Sequence, residues 1–381
     1  MNSPLRTDPA PIAVDLIRAE SITPAGPAVF DVAARLLQGA GFEVTRLTFA
    51  EHGTVPVENL FATRGSGRHL AFAGHLDVVP PGPPEAWTHP PFAGAVDGDT
   101  LYGRGAQDMK GAIAAMIAAA LDWAADGAPG RLSLLLTGDE EGPSVNGTAP
   151  LVAWAAERHP IDAAVVGEPT SRERLGDTIK VGRRGSLSAT VTVTGRQGHV
   201  AYQHLARNPV PDLLAIGQAL LSPLDTGNPR FAPSNLEIVS VDVGNPAWNV
   251  IPARASLRFN VRFNDGWTAG SLMNELERRI AAAAPGATVA TVFEAASDAF
   301  LTHDAALIGA VTRAVEAVTG VRPEATTGGG TSDARFIKSF CPVVEFGAVG
   351  DTMHQVDERT SLDELRRLAA AYRAIIDAVL G

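Results

Sequence analysis

The chain has 381 residues, of which 45% are hydrophobic and 19% charged, and a formal net charge of −11. That length exceeds what one hydrophobic core serves, so two domains are expected, and the composition is that of a globular protein. The acidic balance excludes a nucleic-acid binder, which needs a concentrated basic face. No apolar run reaches membrane length, because Asp122 interrupts the alanine-rich stretch after Gly111. Met1 to Ala10 carries Pro4, Asp8 and Pro9 where a signal peptide has its apolar core. The single Cys341, beside Pro342, reads as a small buried hydrophobe and fits a reducing, cytoplasmic compartment.

In chain order, Arg68 to Gly74, Arg131 to Leu136 and Asp162 to Val166 read as buried strands. Between the first two, Ile113, Met116, Ile117, Ala120 and Leu121 fall at helical spacing and predict an amphipathic helix. Strands alternating with helices imply an α/β sheet. After Val181 the texture changes. Leu187, Ala189, Val191 and Val193 alternate with serines and threonines, as in a half-exposed strand. A helix (Pro209 to Leu221), strands (Leu236 to Val243, Ala253 to Phe263), a second helix (Thr268 to Ala284) and a strand (Ala287 to Ala295) complete a β-α-β-β-α-β order. That order is ferredoxin-like, and its sheet edges are free to pair with another subunit. The α/β texture returns near Asp304, and Ser361 to Glu364 reads as a capping box opening the last helix. The expected architecture is an α/β domain from residues 1–182 and 296–381, with 183–295 inserted as a smaller α+β domain.

Five segments carry candidate chemistry. Gly74-His75-Leu76-Asp77 lies past a strand end, where ligands gather in open α/β sheets. A neutral His75 there suits a metal, and Asp77 is placed to fix its tautomer. Gly103-Arg104-Gly105-Ala106-Gln107-Asp108 leads into the helix, with Asp108 either a helix cap or a carboxylate bridging two metals. Its spacing matches neither a phosphate loop nor a dinucleotide fingerprint. Asp139-Glu140-Glu141 follows another buried strand and would repel strongly without a cation. Glu168 and His354, each weak alone, complete a set of two histidines and three carboxylates, which suits two zinc ions sharing one bridge.

These five segments, in this order, resemble the di-zinc superfamily of aminoacylases, acetylornithine deacetylases, desuccinylases and certain carboxypeptidases, from about Ile12 to the C-terminus. Gly182-Arg183-Arg184-Gly185 and Gly328-Gly329-Gly330-Thr331-Ser332-Asp333 resemble the succinyl-diaminopimelate desuccinylase branch. Gly198-His199 and Asn249-Val250-Ile251-Pro252 are shared across the superfamily. Gly350-Asp351 stands where many members carry Asn-Ala, and Trp248 where some carry Asn, differences that bear on substrate contacts.

The resemblance implies a di-zinc exopeptidase-like catalytic domain with an inserted dimerisation or lid domain. Two Zn2+ per chain are implied, with Co2+ as a workable substitute: one on His75, Asp108 and Glu168, the other on Asp108, Glu141 and His354. It further implies that Asp77 orients His75, that Glu140 is the general base, and that His199 stabilises the oxyanion in the partner's site of a homodimer. Arg183, Arg184 and Arg262 are the candidate forks for substrate carboxylates, with Tyr202, Asn249 and Thr331 as neutral contacts. The implied reaction is hydrolysis of an anionic N-acyl amino acid, N-succinyl-L,L-2,6-diaminopimelate, in lysine and diaminopimelate synthesis. A related deacylase or di-zinc carboxypeptidase is the alternative within the superfamily, and a non-catalytic binding protein the alternative outside it. No nucleic-acid or membrane partner is expected.

Overall fold

A computed structural model describes residues 6–294 and 296–381. The chain divides into two compact units: one runs up to Val181 and includes Thr302–Thr326 and Ser332–Gly381, and the other is Gly182–Leu301 with Thr327–Thr331.

The first unit begins with α1 (Pro9–Arg18), α2 (Pro27–Gly39), β1 (Glu43–Phe49), β2 (Val57–Ser66) and β3 (His69–His75). It continues through α3 (Lys110–Asp126), β4 (Gly130–Thr137), α4 (Thr148–Arg158), β5 (Ala163–Val166) and β6 (Thr178–Lys180). The second unit supplies β7 (Gly185–Thr194), α5 (Val210–Leu220), β8 (Asn235–Asp242), β9 (Arg254–Phe263), α6 (Ala269–Ala283) and β10 (Thr288–Phe293). The chain returns to the first unit with α7 (Ala305–Thr319), β11 (Glu324–Thr326), β12 (Val343–Glu345) and α8 (Leu362–Leu380).

The first unit's sheet has the order β1-β2-β4-β3-β5-β12-β6-β11. Its centre, β4-β3-β5-β12, is parallel. Every residue of β3 is buried, as a central parallel strand covered on both faces requires. The carboxyl ends of β4, β3 and β5 therefore lie side by side, and the chain leaves each on a loop bearing a candidate residue.

Helix α3 differs from the expected amphipathic helix. It is buried almost all round, and Leu121 is among its less buried residues. It packs against α1 and α8, and its many alanines allow close approach. Asp122, read from sequence as an interruption, is buried and accepts hydrogen bonds from the Arg6 and Thr7 amides and the Thr7 hydroxyl. The capping box at α8 is half formed. Ser361 accepts from the Glu364 amide, but the Glu364 carboxylate turns away to accept from Val349 N–H.

The second unit's sheet has the order β8-β9-β7-β10, with all neighbours antiparallel. Leu187, Ala189, Val191 and Val193 face a core built with Leu213 and Ile216 of α5 and Leu272 and Leu276 of α6. Burying each of these valine, leucine and isoleucine side chains contributes roughly 1.5–3 kcal/mol. β8 carries an irregularity between Ile238 and Ser240, beyond which Val241 is exposed, as is Val239 within it. The strand expected to end at Ala295 ends at Phe293, and Ala295 lies outside the described residues. Among the described residues no helix is long and apolar enough to cross a membrane.

Candidate metal centre

His75 is the last residue of β3, paired with Thr137 at the end of β4. Its Nδ1 lies 2.9 Å from the main-chain carbonyl oxygen of Asp77 and 3.7 Å from that residue's carboxylate. A carbonyl only accepts, so Nδ1 carries the proton and Nε2 is left as the ligating nitrogen. The Asp77 carboxylate, expected to orient His75, lies beside the imidazole at that longer distance. The strand end turns this carboxylate to the Glu140 and Glu141 amides, at 3.2 and 3.0 Å. Asp77 is thus the anchor of the acidic turn after β4.

The Asp108 loop depends on Gly105, whose φ of +87° is left-handed and whose Cβ, if present, would lie 2.7 Å from Val78. Asp108 is not the cap of α3: Met109 occupies that position. Its carboxylate faces two histidines at once. Oδ1 is 3.1 Å from His75 Nε2, and Oδ2 is 3.3 Å from His354 Nε2. His354 Nε2 is also 2.8 Å from Glu141 Oε1. Glu168, just past β5, has Oε1 3.9 Å from His75 Nε2, buried and without a hydrogen-bond partner. Two candidate metal-ligand groups result, His75–Asp108–Glu168 and Asp108–Glu141–His354, with Asp108 in both.

The electrostatics are those of crowded carboxylates. Burial pushes the Glu168 carboxyl well up, and Asp108 and Glu140 add to this. Burial, with Asp333, Glu141 and Asp108 adding and His75 opposing, pushes Glu140 up to about 8. Burial also acts to raise Asp108, but hydrogen bonds from His354 and His75 hold it below the usual carboxylate range. Hydrogen bonds to Asp108 and Glu141 raise His354 to about 10. An unpartnered buried oxygen among mutually repelling acids fits a bound dication, and the carboxylate–imidazole donor set suits zinc.

The remaining predicted site residues lie in the second unit. His199 is exposed, and its Nδ1 accepts the Ala201 amide at 3.0 Å, which leaves the proton on Nε2 as an outward donor. Its neighbours are Tyr202, with ring centroids 5.5 Å apart, and Asn249, whose carbonyl accepts from Val200 N–H. Arg184 donates to Asn235 Oδ1. Burial and the nearby Arg184 charge lower the Arg262 pKa. Arg183 is buried and donates to the Gly330 carbonyl, beside Thr331 in the chain. Arg254 and Arg258 are exposed.

Sequence reasoning gave no role to Glu358, Gln107 or Asp333. Glu358 is fully buried and accepts from the Gly105, Gln107 and Asp108 amides. Asp333 accepts from the Thr148 hydroxyl, and its other oxygen is buried without a partner. Asp333 ends the Gly328-Gly329-Gly330-Thr331-Ser332-Asp333 run and Glu358 follows His354 by four residues, but no local pattern marks a carboxylate whose partners lie far along the chain. Cys341 is buried, and burial pushes its thiol up to about 12, as suits an inert packing residue.

The fold and this grouping define an α/β protein with a candidate two-metal site at the carboxyl edge of its parallel sheet. The chain belongs to the peptidase family M20/M25/M40, whose model matches residues 71–378. Among curated relatives, a succinyl-diaminopimelate desuccinylase of Xanthobacter autotrophicus is 55% identical over 371 residues, 96% of this chain and 97% of the relative. Another of that name from Methylobacterium sp. is 53% identical over 382 residues, 98% and 96% of the two chains. An M20 family metallo-carboxypeptidase from Sulfolobus solfataricus shares the fold, with a TM-score of 0.78, 16% identity and 98% and 99% coverage. So does a dinuclear metal-binding M20 peptidase from Bacillus subtilis, with a TM-score of 0.70, 18% identity and 98% of each chain covered.

Proposed function

We propose that this chain is a cytoplasmic di-zinc amidohydrolase that cleaves N-succinyl-L,L-2,6-diaminopimelate to succinate and L,L-diaminopimelate. The full-length similarity to relatives bearing the desuccinylase name supports the substrate. The observation that carries the chemistry is Asp108, whose two oxygens face His75 and His354 separately. His75, Asp108 and Glu168 would hold one zinc, and Asp108, Glu141 and His354 the other, with cobalt as a substitute. Bound there, the metals would supply Lewis acidity toward the amide carbonyl and lower the pKa of the attacking water.

The protein's own residues do the proton work. Glu140 takes a proton from the attacking water on its carboxylate and passes it to the departing amine nitrogen. Asp77 holds the turn that aims it. His199 Nε2–H donates to the oxyanion. Arg183, Arg184 and Arg262 bind the substrate carboxylates, and Tyr202, Asn249 and Thr331 hydrogen-bond its neutral groups.

A homodimer is part of this reading. β8 lies at the edge of the second unit's sheet with Val239 and Val241 exposed by 66% and 56%, which supports pairing with a second copy. The test is turnover of the succinylated substrate, abolished by chelation and restored by two equivalents of zinc per chain. Full activity in metal-free protein overturns the proposal.

A further inference from the structure

We propose that Glu358 is a positioning residue that holds the Asp108 carboxylate and the His354 imidazole in one register, and so sets metal affinity at the Asp108–Glu141–His354 group. This rests on the metal assignment in the proposed function.

Glu358 is fully buried, yet its carboxylate accepts four hydrogen bonds. Oε1 takes the Gln107 and Asp108 amides at 2.9 and 3.1 Å, and Oε2 takes the Gly105 amide at 3.1 Å and Arg104 Nη1 at 2.7 Å. A carboxylate has about four lone-pair directions, so every one is filled by a donor. The loop that ends in Asp108 is thereby wrapped around one side chain. The Arg104 guanidinium, stacked over Trp87, continues the link by donating from Nη2 to the His354 carbonyl at 3.4 Å.

Gln107 ties the same two segments a second time. Its Nε2 donates to Asp351 Oδ1 at 2.6 Å, and its Oε1 accepts the Thr352 amide at 2.7 Å. His354 itself has a φ of 63°, left-handed backbone that is uncommon for a non-glycine residue. The two candidate groups are therefore held differently. His75 ends β3, and Glu168 follows β5 closely, so a parallel ladder fixes both. Asp108 and His354 sit on loops whose mutual placement runs through Glu358. An amide in its place would aim an NH2 group at two donors, leaving them unsatisfied.

The test is a zinc titration of chelator-stripped, full-length protein against a chromophoric competitor. Wild type takes up two equivalents. Glu358→Gln binds the equivalent on the His354 group about 10–100-fold more weakly, the usual effect of removing a partner behind a ligand, and weakens the one on the His75 group less, because that group shares Asp108 but keeps His75 and Glu168 on the parallel ladder. On a His354→Ala background the same substitution changes the remaining equivalent little, which a general loss of structure would not reproduce. Glu358→Asp, shorter but still all-acceptor, gives an intermediate loss at the same equivalent and serves as the test if Glu358→Gln does not fold. Unchanged affinity for both equivalents in the folded variant overturns the positioning role, however far its melting temperature falls. So does equal weakening of both. A wild-type protein that does not take two equivalents instead sinks the metal assignment itself.

Discussion

The His75 imidazole donates from Nδ1 to the main-chain carbonyl of Asp77 at 2.9 Å, while the Asp77 carboxylate stands 3.7 Å from the same nitrogen. That carboxylate holds the Glu140 and Glu141 amides. Asp77→Ala is therefore expected to keep zinc at the His75 group while losing roughly 10²-fold in kcat, because the base drifts from its productive position. Zinc stoichiometry and kcat measured together check this. Loss of the His75-bound metal would show that the side chain supports the ligand after all.

The neighbours Glu140 and Glu141 are expected to separate cleanly. Glu140→Gln keeps both metals and loses at least ~10²-fold in rate, the low end for general acid–base catalysis. His354→Ala loses one metal. If Glu140→Gln lost zinc and Glu141→Gln did not, the two roles would be reversed.

His69, at the opposite end of β3 from His75, gives the fold a pH dependence remote from the site. Burial lowers its pKa, with Arg131 and His159 adding and the Pro160 carbonyl and Asp162 opposing. Its ring lies between the Pro160 carbonyl and the Ser133 hydroxyl. The folded state thus binds fewer protons than the unfolded state, whose histidine titrates near ~6.5. The sign follows: the contribution is complete above that pH and is lost as pH falls toward the lower folded value. In chelated protein, denaturant melts between pH 7 and 5 should show a gentler fall in stability for His69→Gln than for wild type. Parallel curves would contradict this.

His199 is expected to act in trans. Glu140→Gln and His199→Ala subunits, each inactive, should recover part of the activity when mixed, since one heterodimer site has an intact base facing an intact donor. Removing one such donor costs roughly 10²–10³ in rate. Confirmed subunit exchange without recovered activity would place His199 in its own chain's chemistry or outside it.

Much of this was legible in the sequence because strand ends and alternation are local signals. The apolar residues before His75, Thr137 and Glu168 marked buried strands, and the Leu187–Val193 alternation marked a sheet with one covered face. What stayed hidden is long-range. Glu358 meets Asp108 across 250 residues, and no spacing rule carries that pairing. The all-round burial of α3 was hidden too, since alanines look alike on a covered or a wet face until α1 and α8 close over them. Glu364 satisfies the capping pattern but serves Val349, because a tertiary donor displaced the local one.

The most direct measurement is the hydrolysis of N-succinyl-L,L-2,6-diaminopimelate beside N-acetylornithine by zinc-loaded protein. The account predicts succinate release with kcat/KM at least ~10²-fold higher than for the acetylated substrate, since a site built for a charged group rejects one lacking it. Faster cleavage of acetylornithine, or no cleavage of the succinylated substrate by protein holding both metals, would contradict it.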